Sequence, residues 1–290
     1  MYATHSACLL CNSDCLVELE NYQHAYLVQC QKCNFVFGKR IPETTELIAH
    51  YQKYKRGGEI SAITIKRYEE LLDAFEKYRK TNKILDIGCG DGYFLEVAKK
   101  RGWQTFGTEF TDEAMETCVK KGITIHQGIL NSANYSKDNF DVITSFEVIE
   151  HINNPQSELE NIREILRLGG LFYFTTPNFN SISRLVLKQN WNVIEYPEHL
   201  SYYTPKTINV FFQKNNFRKI KLDTTGISIK RFKKSIQKNN FSNAQVDEDQ
   251  ELRGKIEQNI LLKVIKNSIN TLLSLFKMGD SIKGFYEKKI

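Results

Sequence analysis

The chain contains no uninterrupted apolar run of about 18 residues, the length that a membrane-crossing helix requires. Its first residues, MYATHSACLLC, lack the basic segment followed by an apolar one that marks an export leader. A spanning or secreted protein is therefore not expected, and the expected location is the cytoplasm. Net charge is missing from most of the sequence as well. The formal +6 of the 290 residues resides in Lys230 to Ile290, with 13 basic and 7 acidic side chains, whereas the first 229 residues carry 27 of each. No general basic surface of the kind that binds nucleic acid is present, and no nucleic-acid partner is expected. Cysteine is scarce after residue 33, where only Cys89 and Cys118 follow. What is there, 41% apolar and 12% aromatic residues, excludes disorder and suffices for a sizeable core.

The first 33 residues hold five cysteines, Cys8, Cys11, Cys15, Cys30 and Cys33. CLLC at 8 to 11 and CQKC at 30 to 33 are separated by 18 residues. In that arrangement two tight knuckles offer four thiolates to one tetrahedral zinc. The alternatives are two disulfides, which fit poorly with a chain lacking an export signal, or thiols packed in a core. A segment this short cannot bury enough apolar surface to fold alone, so a metal would supply its folding free energy. The expected ligands are Cys8, Cys11, Cys30 and Cys33, with Cys15 able to replace Cys11 and with His5 and His24 as weaker substitutes. Residues 1–42 form this module, and 43–81 a connection (HYQKYKRGGEI, 50 to 60) and a helix over about 61–80 with an apolar stripe of Ile65, Tyr68, Leu71, Leu72 and Phe75.

From residue 82 to 229, short β-rich runs alternate with helical patterns: KILDIG, TFGTEF, ITIHQG, FDVITSFEV and LFYFTTP, with SELENIREILRL read as the helix before the last. Alternation of this kind predicts an α/β fold, a doubly wound, mostly parallel sheet with helices on both faces and ligands bound at the carboxyl ends of its strands. LDIGCGDGYF (85 to 94) places Asp86 in the first strand and Gly88, Gly90 and Gly92 in the turn that follows. Glycine lets that backbone turn sharply and approach a ligand, and the next helix points its positive end at the same place. A dinucleotide site would need glycine or alanine three residues after Gly90, where Tyr93 stands. The second strand ends in Glu109, a carboxylate able to accept both hydroxyls of a ribose.

These residues resemble the class I S-adenosylmethionine-dependent methyltransferases of the small-molecule type, similar to quinone-biosynthesis and surface-polysaccharide enzymes. LDIGCGDG resembles the first motif, TEF the second, and FDVITSFEVIEHINNP followed by ILRLGGLFYFTTPN the later strands. The resemblance implies a Rossmann-like sheet of seven strands and S-adenosylmethionine as cofactor. It implies contacts from Asp86, Gly88, Cys89, Gly90, Gly92, Tyr93, Glu109, Phe110, Gly128, Ile129, Leu130, Phe146 and Glu147. Asp86 would help hold the methionine moiety and Glu109 the ribose. Where the family often places an Asp to contact adenine, Ile129 follows Gly128, so adenine recognition falls to backbone or to Leu130 and its neighbours.

Methyl transfer from a sulfonium is an in-line displacement that gains mostly from positioning, and a base helps most with weakly acidic hydroxyls. The expected catalytic residues are His199 in EYPEHLSYYTP, His151 in EVIEHI, and Glu147, with Glu150 in reserve. His151 reads equally as a buried histidine tying a loop to the backbone. Trp191, Tyr196, Tyr202 and Tyr203 surround His199 in sequence and suggest a platform for a sugar or ring. By resemblance, zinc knuckles precede the methyltransferase domain in deoxysugar C-methyltransferases, whose further large domain does not fit in 290 residues. The favoured reaction is therefore O-methylation of a sugar or lipid-linked surface-glycan precursor, with C-methylation less favoured. The alternatives are a quinone-like or other small aromatic acceptor and, from another class, a zinc-containing nucleic-acid-binding protein. Against the latter, SFEVIEH stands where base-modifying enzymes carry an NPPY-like segment.

Residues 230–279 read as a basic insertion, polar and flexible to about 255 and then an amphipathic helix over 255–277, and 280–290 as the final strand of the sheet. The apolar face of that helix, Leu261 to Phe276, predicts packing on the body or on a second copy in a homodimer. The alternative is peripheral contact with the inner face of a membrane, since lysines flank it.

Overall fold

The computed structural model describes residues 2–51, 57–58, 60–227 and 259–289. Most of the connection expected at 50–60, and all of the polar stretch expected at 230–255, lies outside the described residues. The chain starts with three short antiparallel strands, β1 (Leu16–Glu18), β2 (Leu27–Cys30) and β3 (Val36–Gly38), followed by helix α1 (Thr44–Tyr51). Helix α2 (Ala62–Phe75) begins at Ser61, whose side chain accepts a hydrogen bond from the Thr64 amide, and its apolar stripe buries Leu72 and Phe75. It ends five residues before the expected limit, passing into a single tight turn over 76–78.

The main sheet contains β4 (Lys83–Ile87), β5 (Gln104–Glu109), β6 (Thr124–Gln127), β7 (Phe140–Phe146), β8 (Leu166–Pro177), β10 (Phe217–Thr225) and β11 (Ser281–Lys288). Their spatial order is β10-β11-β8-β7-β4-β5-β6. All neighbours are parallel except those of β11, which runs antiparallel to both β8 and β10. Helices α3 (Tyr93–Lys100), α4 (Asp112–Lys120), α5 (Pro155–Ile165), α6 (Ile182–Leu187) and α7 (Pro205–Lys214) connect these strands. The fold is the expected Rossmann-like doubly wound sheet of seven strands. Phe172, Phe174, Phe212, Phe217 and Tyr286 form a buried aromatic layer on one face.

Three features depart from the sequence reading or were not specified by it. SELENIREILRL is not helical throughout: α5 stops at Ile165 and β8 starts at Leu166, which pairs with Phe140. The cause is distant in sequence, because the Arg167 guanidinium is drawn onto Asp141 of β7, at 2.6 Å, and onto the Tyr78 carbonyl. Second, the cysteine module, whose packing the sequence reading did not specify, is built into the core. Its strand β3 pairs with β9 (Ser201–Tyr202), and Cys8, Cys30, Phe35 and Phe37 share one buried cluster with Tyr203, Phe211 and Phe212. Third, the amphipathic helix, α8 (Ile260–Phe276), packs on β10 mainly through Leu273, whose carbonyl accepts from the Thr224 hydroxyl at 2.8 Å. Leu261, Val264, Leu272, Leu275 and Phe276 are exposed, Leu275 at 71%, so most of the face expected to pack on the body or on a second copy is left uncovered by the described residues.

Candidate active site

The turn after β4 is shaped by glycine. Gly88 has φ +66° and Gly92 φ +71°, a region that L side chains rarely adopt. A Cβ would also stand 2.7 Å from Val148 at Gly88 and 2.6 Å from Ile123 at Gly92. The carboxylate of Glu109, 7% exposed at the end of β5, ties this turn to the next strand. One oxygen accepts from the Gly90 amide at 3.0 Å and the other from the Phe110 amide at 2.9 Å.

Above this turn lies a cavity of about 510 Å³, ample for a nucleoside with an amino-acid tail. Gly88, Gly90, Glu109, Phe110, Gly128, Ile129, Leu130, Phe146 and Glu147 line it, as does His151. Phe110 and Ile129 are exposed apolar groups facing it, which suits a flat base. The other expected cofactor residues do not line the cavity and instead shape the turn. Cys89 turns its sulfur toward Cys118, 3.8 Å away, and the Tyr93 hydroxyl donates to the Gly58 carbonyl.

Asp86 is buried beneath the turn and accepts a 2.7 Å hydrogen bond from the Thr144 hydroxyl. Burial pushes its pKa up to about 7; the Thr144 bond opposes this and the Glu109 charge adds to it. If Asp86 supports a ligand ammonium, as the resemblance implies, that charge favours the ionised form, and ligand affinity should rise as pH rises through the unliganded value and level off above it. S-adenosylhomocysteine is expected to bind about tenfold tighter at pH 8 than at pH 6. Calorimetry across that range should give a flat profile for Asp86→Asn, and an equally steep one would assign the dependence elsewhere.

Beyond the cavity, β7 leads into a tight turn, Ile149–His151. Glu147 there adopts φ +53°, and its carboxylate accepts from the Ser281 hydroxyl at 3.3 Å. Glu150 points inward, 2% exposed, and accepts from the Thr176 hydroxyl at 2.9 Å. His151 Nδ1 donates to the Glu198 carbonyl at 2.5 Å and His199 Nδ1 to the Val193 carbonyl at 2.6 Å. The two rings, 48 residues apart in sequence, lie with centroids 4.8 Å apart. Burial holds His151 below its ordinary pKa, partly offset by the Glu198 carbonyl.

Three of the four aromatic residues expected to form a platform around His199 are buried. Trp191 is 1% exposed, and Tyr202 and Tyr203 are nearly as buried. Trp191 and Tyr202 pack with Ala25, Leu27 and Val36 of the cysteine module, and Tyr203 stacks near Phe35. Tyr196 turns toward Tyr26 and Arg40. These rings are core because β9 is sealed under the module, a long-range pairing that local sequence does not announce. A different aromatic group stands by the cavity: Phe146, on its wall, touches Phe94, Tyr173 and Tyr68 of α2. In sequence Tyr68 is only one member of a helical stripe.

Outside the cavity lining the four expected cysteines converge. Cys8 and Cys33 sulfurs are 3.5 Å apart, as are Cys11 and Cys30, and all four lie within 4.8 Å of one another. Bonds of about 2.3 Å to a tetrahedral ion put sulfurs roughly 3.8 Å apart, so the cluster fits zinc. Cys15 is exposed and bonds weakly to Asp14 instead. His5 is turned away to Asn153. Burial pushes the Cys8 thiol up to about 11, whereas amides of Cys33 and Lys32 overcome burial and bring Cys30 to about 7.

The sheet order, the glycine turn clamped by an acidic strand end and the cavity above it define a Rossmann-like protein of the S-adenosylmethionine-dependent methyltransferase class. A family model described as a methyltransferase domain matches residues 59–222, and the chain belongs to that family. Curated relatives include ubiquinone biosynthesis O-methyltransferases. That of Shewanella halifaxensis is 31% identical over 34% of this chain and 44% of its own length, and that of Haemophilus ducreyi 29% over 44% and 57%. The chain thus spans about half the length of the curated relatives it matches. Among solved structures, a SAM-dependent methyltransferase from Archaeoglobus fulgidus superposes with a TM-score of 0.53 at 17% identity, over 85% of this chain and all of its own. A putative sarcosine dimethylglycine methyltransferase from Galdieria sulphuraria gives 0.53 at 12%, over 78% and 84%. At these identities the likeness is one of fold. Among the described residues no helix is long and apolar enough to cross a membrane.

Proposed function

We propose that the chain transfers a methyl group to a hydroxyl oxygen of a small aromatic, quinone-like acceptor. The observation that carries this reading is the part of the cavity wall around His151, where Phe146, Val148, Ile152 and Leu47 offer apolar surface with Glu147 among them, while Asn153, Asn154 and Ser157 line the same cavity. A flat, mostly apolar ring with one or two hydroxyls would pack on those four apolar side chains and find polar partners in Glu147 and His151. The curated relatives, named for O-methylation in ubiquinone biosynthesis, favour the same reading. The sugar reading favoured from sequence rested on the resemblance of the cysteine module to that of deoxysugar methyltransferases; of the residues suggested there as a sugar or ring platform, Trp191, Tyr202 and Tyr203 are buried and Tyr196 turns toward Tyr26 and Arg40.

S-adenosylmethionine, when bound, supplies an electrophilic methyl group on sulfur. The residues of the chain do the rest by placement. Glu109 and the glycine turn hold the nucleoside end, Asp86 supports the amino-acid end, and Phe146 excludes water from the methyl's path. Glu147 and His151 orient the acceptor hydroxyl and take up its proton. A phenol is acidic enough that orientation with one weak base suffices. Labelled-methyl uptake separates the two acceptors: catechols and hydroxybenzoates are expected to be methylated and nucleotide sugars or lipid-linked glycans not. Uptake by sugars alone would reverse the assignment.

We also infer that Cys8, Cys11, Cys30 and Cys33 hold one structural zinc ion. The sulfur spacing supports this. When bound, the ion supplies folding free energy to residues 2–42.

A further inference from the structure

We propose that Cys89 and Cys118 form an oxidation site, a dithiol that hydrogen peroxide converts to a disulfide and that, once oxidised, loosens the hold of the glycine turn on the cofactor. Cys89 lies in that turn and Cys118 near the end of α4, with their sulfurs 3.8 Å apart, in contact and unbonded. The pair is separate from the N-terminal module, where four of the other five cysteines cluster with one another and the fifth, Cys15, is exposed. Neither Cys89 nor Cys118 lines the cavity, and methyl transfer has no use for either thiol.

The fold brings the two thiols together by leaving room for each. A Cβ at Gly107 of β5 would stand 2.7 Å from Cys89 Sγ, and one at Gly92 would stand 2.8 Å from Cys118 Sγ, so each sulfur fills a gap left by a glycine. Both thiols also face one acceptor, the Gly90 carbonyl, which lies 3.3 Å from Cys118 Sγ and 3.8 Å from Cys89 Sγ. Gly90 lines the cavity, and its amide is the one held by the Glu109 carboxylate at 3.0 Å. A disulfide sets its sulfurs about 2.0 Å apart, so the pair must close by about 1.8 Å. Part of that movement falls on the turn, where Gly88, Gly90 and Gly92 give the backbone its freedom. Oxidation thus shifts Gly90 and at the same time removes both S–H donors from its carbonyl.

Cys118 is the thiol that ionises first. The hydrogen bond from Cys89 lowers its pKa, burial opposes this, and the Lys121 ammonium adds to the lowering; the same bond raises Cys89. The Cys118 thiolate attacks one peroxide oxygen, the O–O bond breaks, and the other oxygen leaves as hydroxide and takes up a proton to become water, which leaves Cys118 as a sulfenic acid. The Cys89 sulfur then attacks the sulfenic sulfur. The S–S bond forms, the S–O bond breaks, and the Cys89 proton leaves with the oxygen in a second water. Two thiols are oxidised by two electrons and one peroxide is reduced to two waters. Cys118 is wholly buried, so the oxidant must be small and must enter as the turn opens. A cofactor seated on the turn hinders that opening, and by reciprocity an oxidation that weakens cofactor binding is itself disfavoured by bound cofactor.

Full-length protein supplied with zinc and treated with hydrogen peroxide, at rising concentration until Cys15 is oxidised, tests the site. Mass mapping of alkylated peptides is expected to show a pair joined through Cys89 and Cys118, lighter by two hydrogens than the separate peptides. Calorimetry is expected to show S-adenosylhomocysteine affinity lowered about tenfold or more, and dithiothreitol should reverse both changes. S-adenosylhomocysteine present during the treatment should slow the crosslink. Cys118→Ser, whose hydroxyl can still donate to Gly90, should have the same affinity before and after treatment. Oxidised Cys15 without the Cys89–Cys118 link overturns the proposal, and so does a link that leaves affinity unchanged. A loss of affinity that persists in Cys118→Ser assigns the effect to other thiols and overturns it equally.

Discussion

Replacing Cys11 with serine is expected to unfold residues 2–42 and to abolish methyl transfer, although none of the four clustered cysteines touches the cavity. A structural zinc contributes on the order of 10 kcal/mol to a small site, far more than the short strands β1 to β3 supply by themselves. The loss would spread because the module is built into the core. Gly38 donates its amide to the Leu200 carbonyl, β3 pairs with Ser201 and Tyr202, and Phe35 and Phe37 pack beside Tyr203. Once β3 melts, the segment carrying His199 loses its template and the part of the cavity around His151 opens to water. Metal stoichiometry, proteolysis within residues 2–42 and methyl transfer should therefore fail together, both in this variant and after chelation of the wild type. A variant with no bound metal, a protected N-terminus and full activity would contradict the zinc assignment.

Asp141→Ala should cost about 3–5 kcal/mol of stability, the range for breaking a buried ion pair, and lower the melting temperature by about 10 °C. One oxygen of Asp141 accepts from the amides of Lys80, Thr81 and Asn82, at 2.7–2.8 Å, and the other from Arg167 at 2.6 Å. A single carboxylate thus joins the approach to β4, the start of β7 and the start of β8. Burial works against its ionisation, but the guanidinium and the three amides outweigh it and hold its carboxyl below the ordinary value. For a depressed acid the stabilisation is present above the unfolded pKa, about 3.9, and is lost as pH falls through the folded one. Acid unfolding of the wild type should accordingly set in below about pH 4, and the variant's deficit relative to it should shrink there. An equal deficit at pH 3 and pH 7 would assign the loss to packing rather than charge. Melting curves against pH decide.

Several parts of this molecule are visible in sequence because their physics is local. A glycine at positive φ and a cysteine pair in a knuckle each need only a few neighbouring residues, and they were legible in GCGDG, CLLC and CQKC. The carboxylate of Glu109 could be expected at a strand end because strand and turn succeed one another along the chain. Tyr202, Tyr203 and Trp191 were misread for the opposite reason. Beside a histidine, aromatic residues serve equally as a binding surface or as core, and burial is decided by β3, more than 150 residues earlier. Glu150 was read as a spare base, yet its position under Thr176 and beside two histidines depends on three segments meeting.

The sequence by itself determined the alternation that builds the sheet, the cofactor turn and the four-thiol cluster, since each is encoded by spacing within about 30 residues. Only the tertiary structure decided that the cysteine module is part of the core, that α5 yields to β8 at Leu166, that α8 leaves its apolar face exposed, and that His151 and His199 share one point. These outcomes depend on which distant surfaces exclude water from each other. Burial is a property of such pairs of surfaces, and no local period in the chain records it.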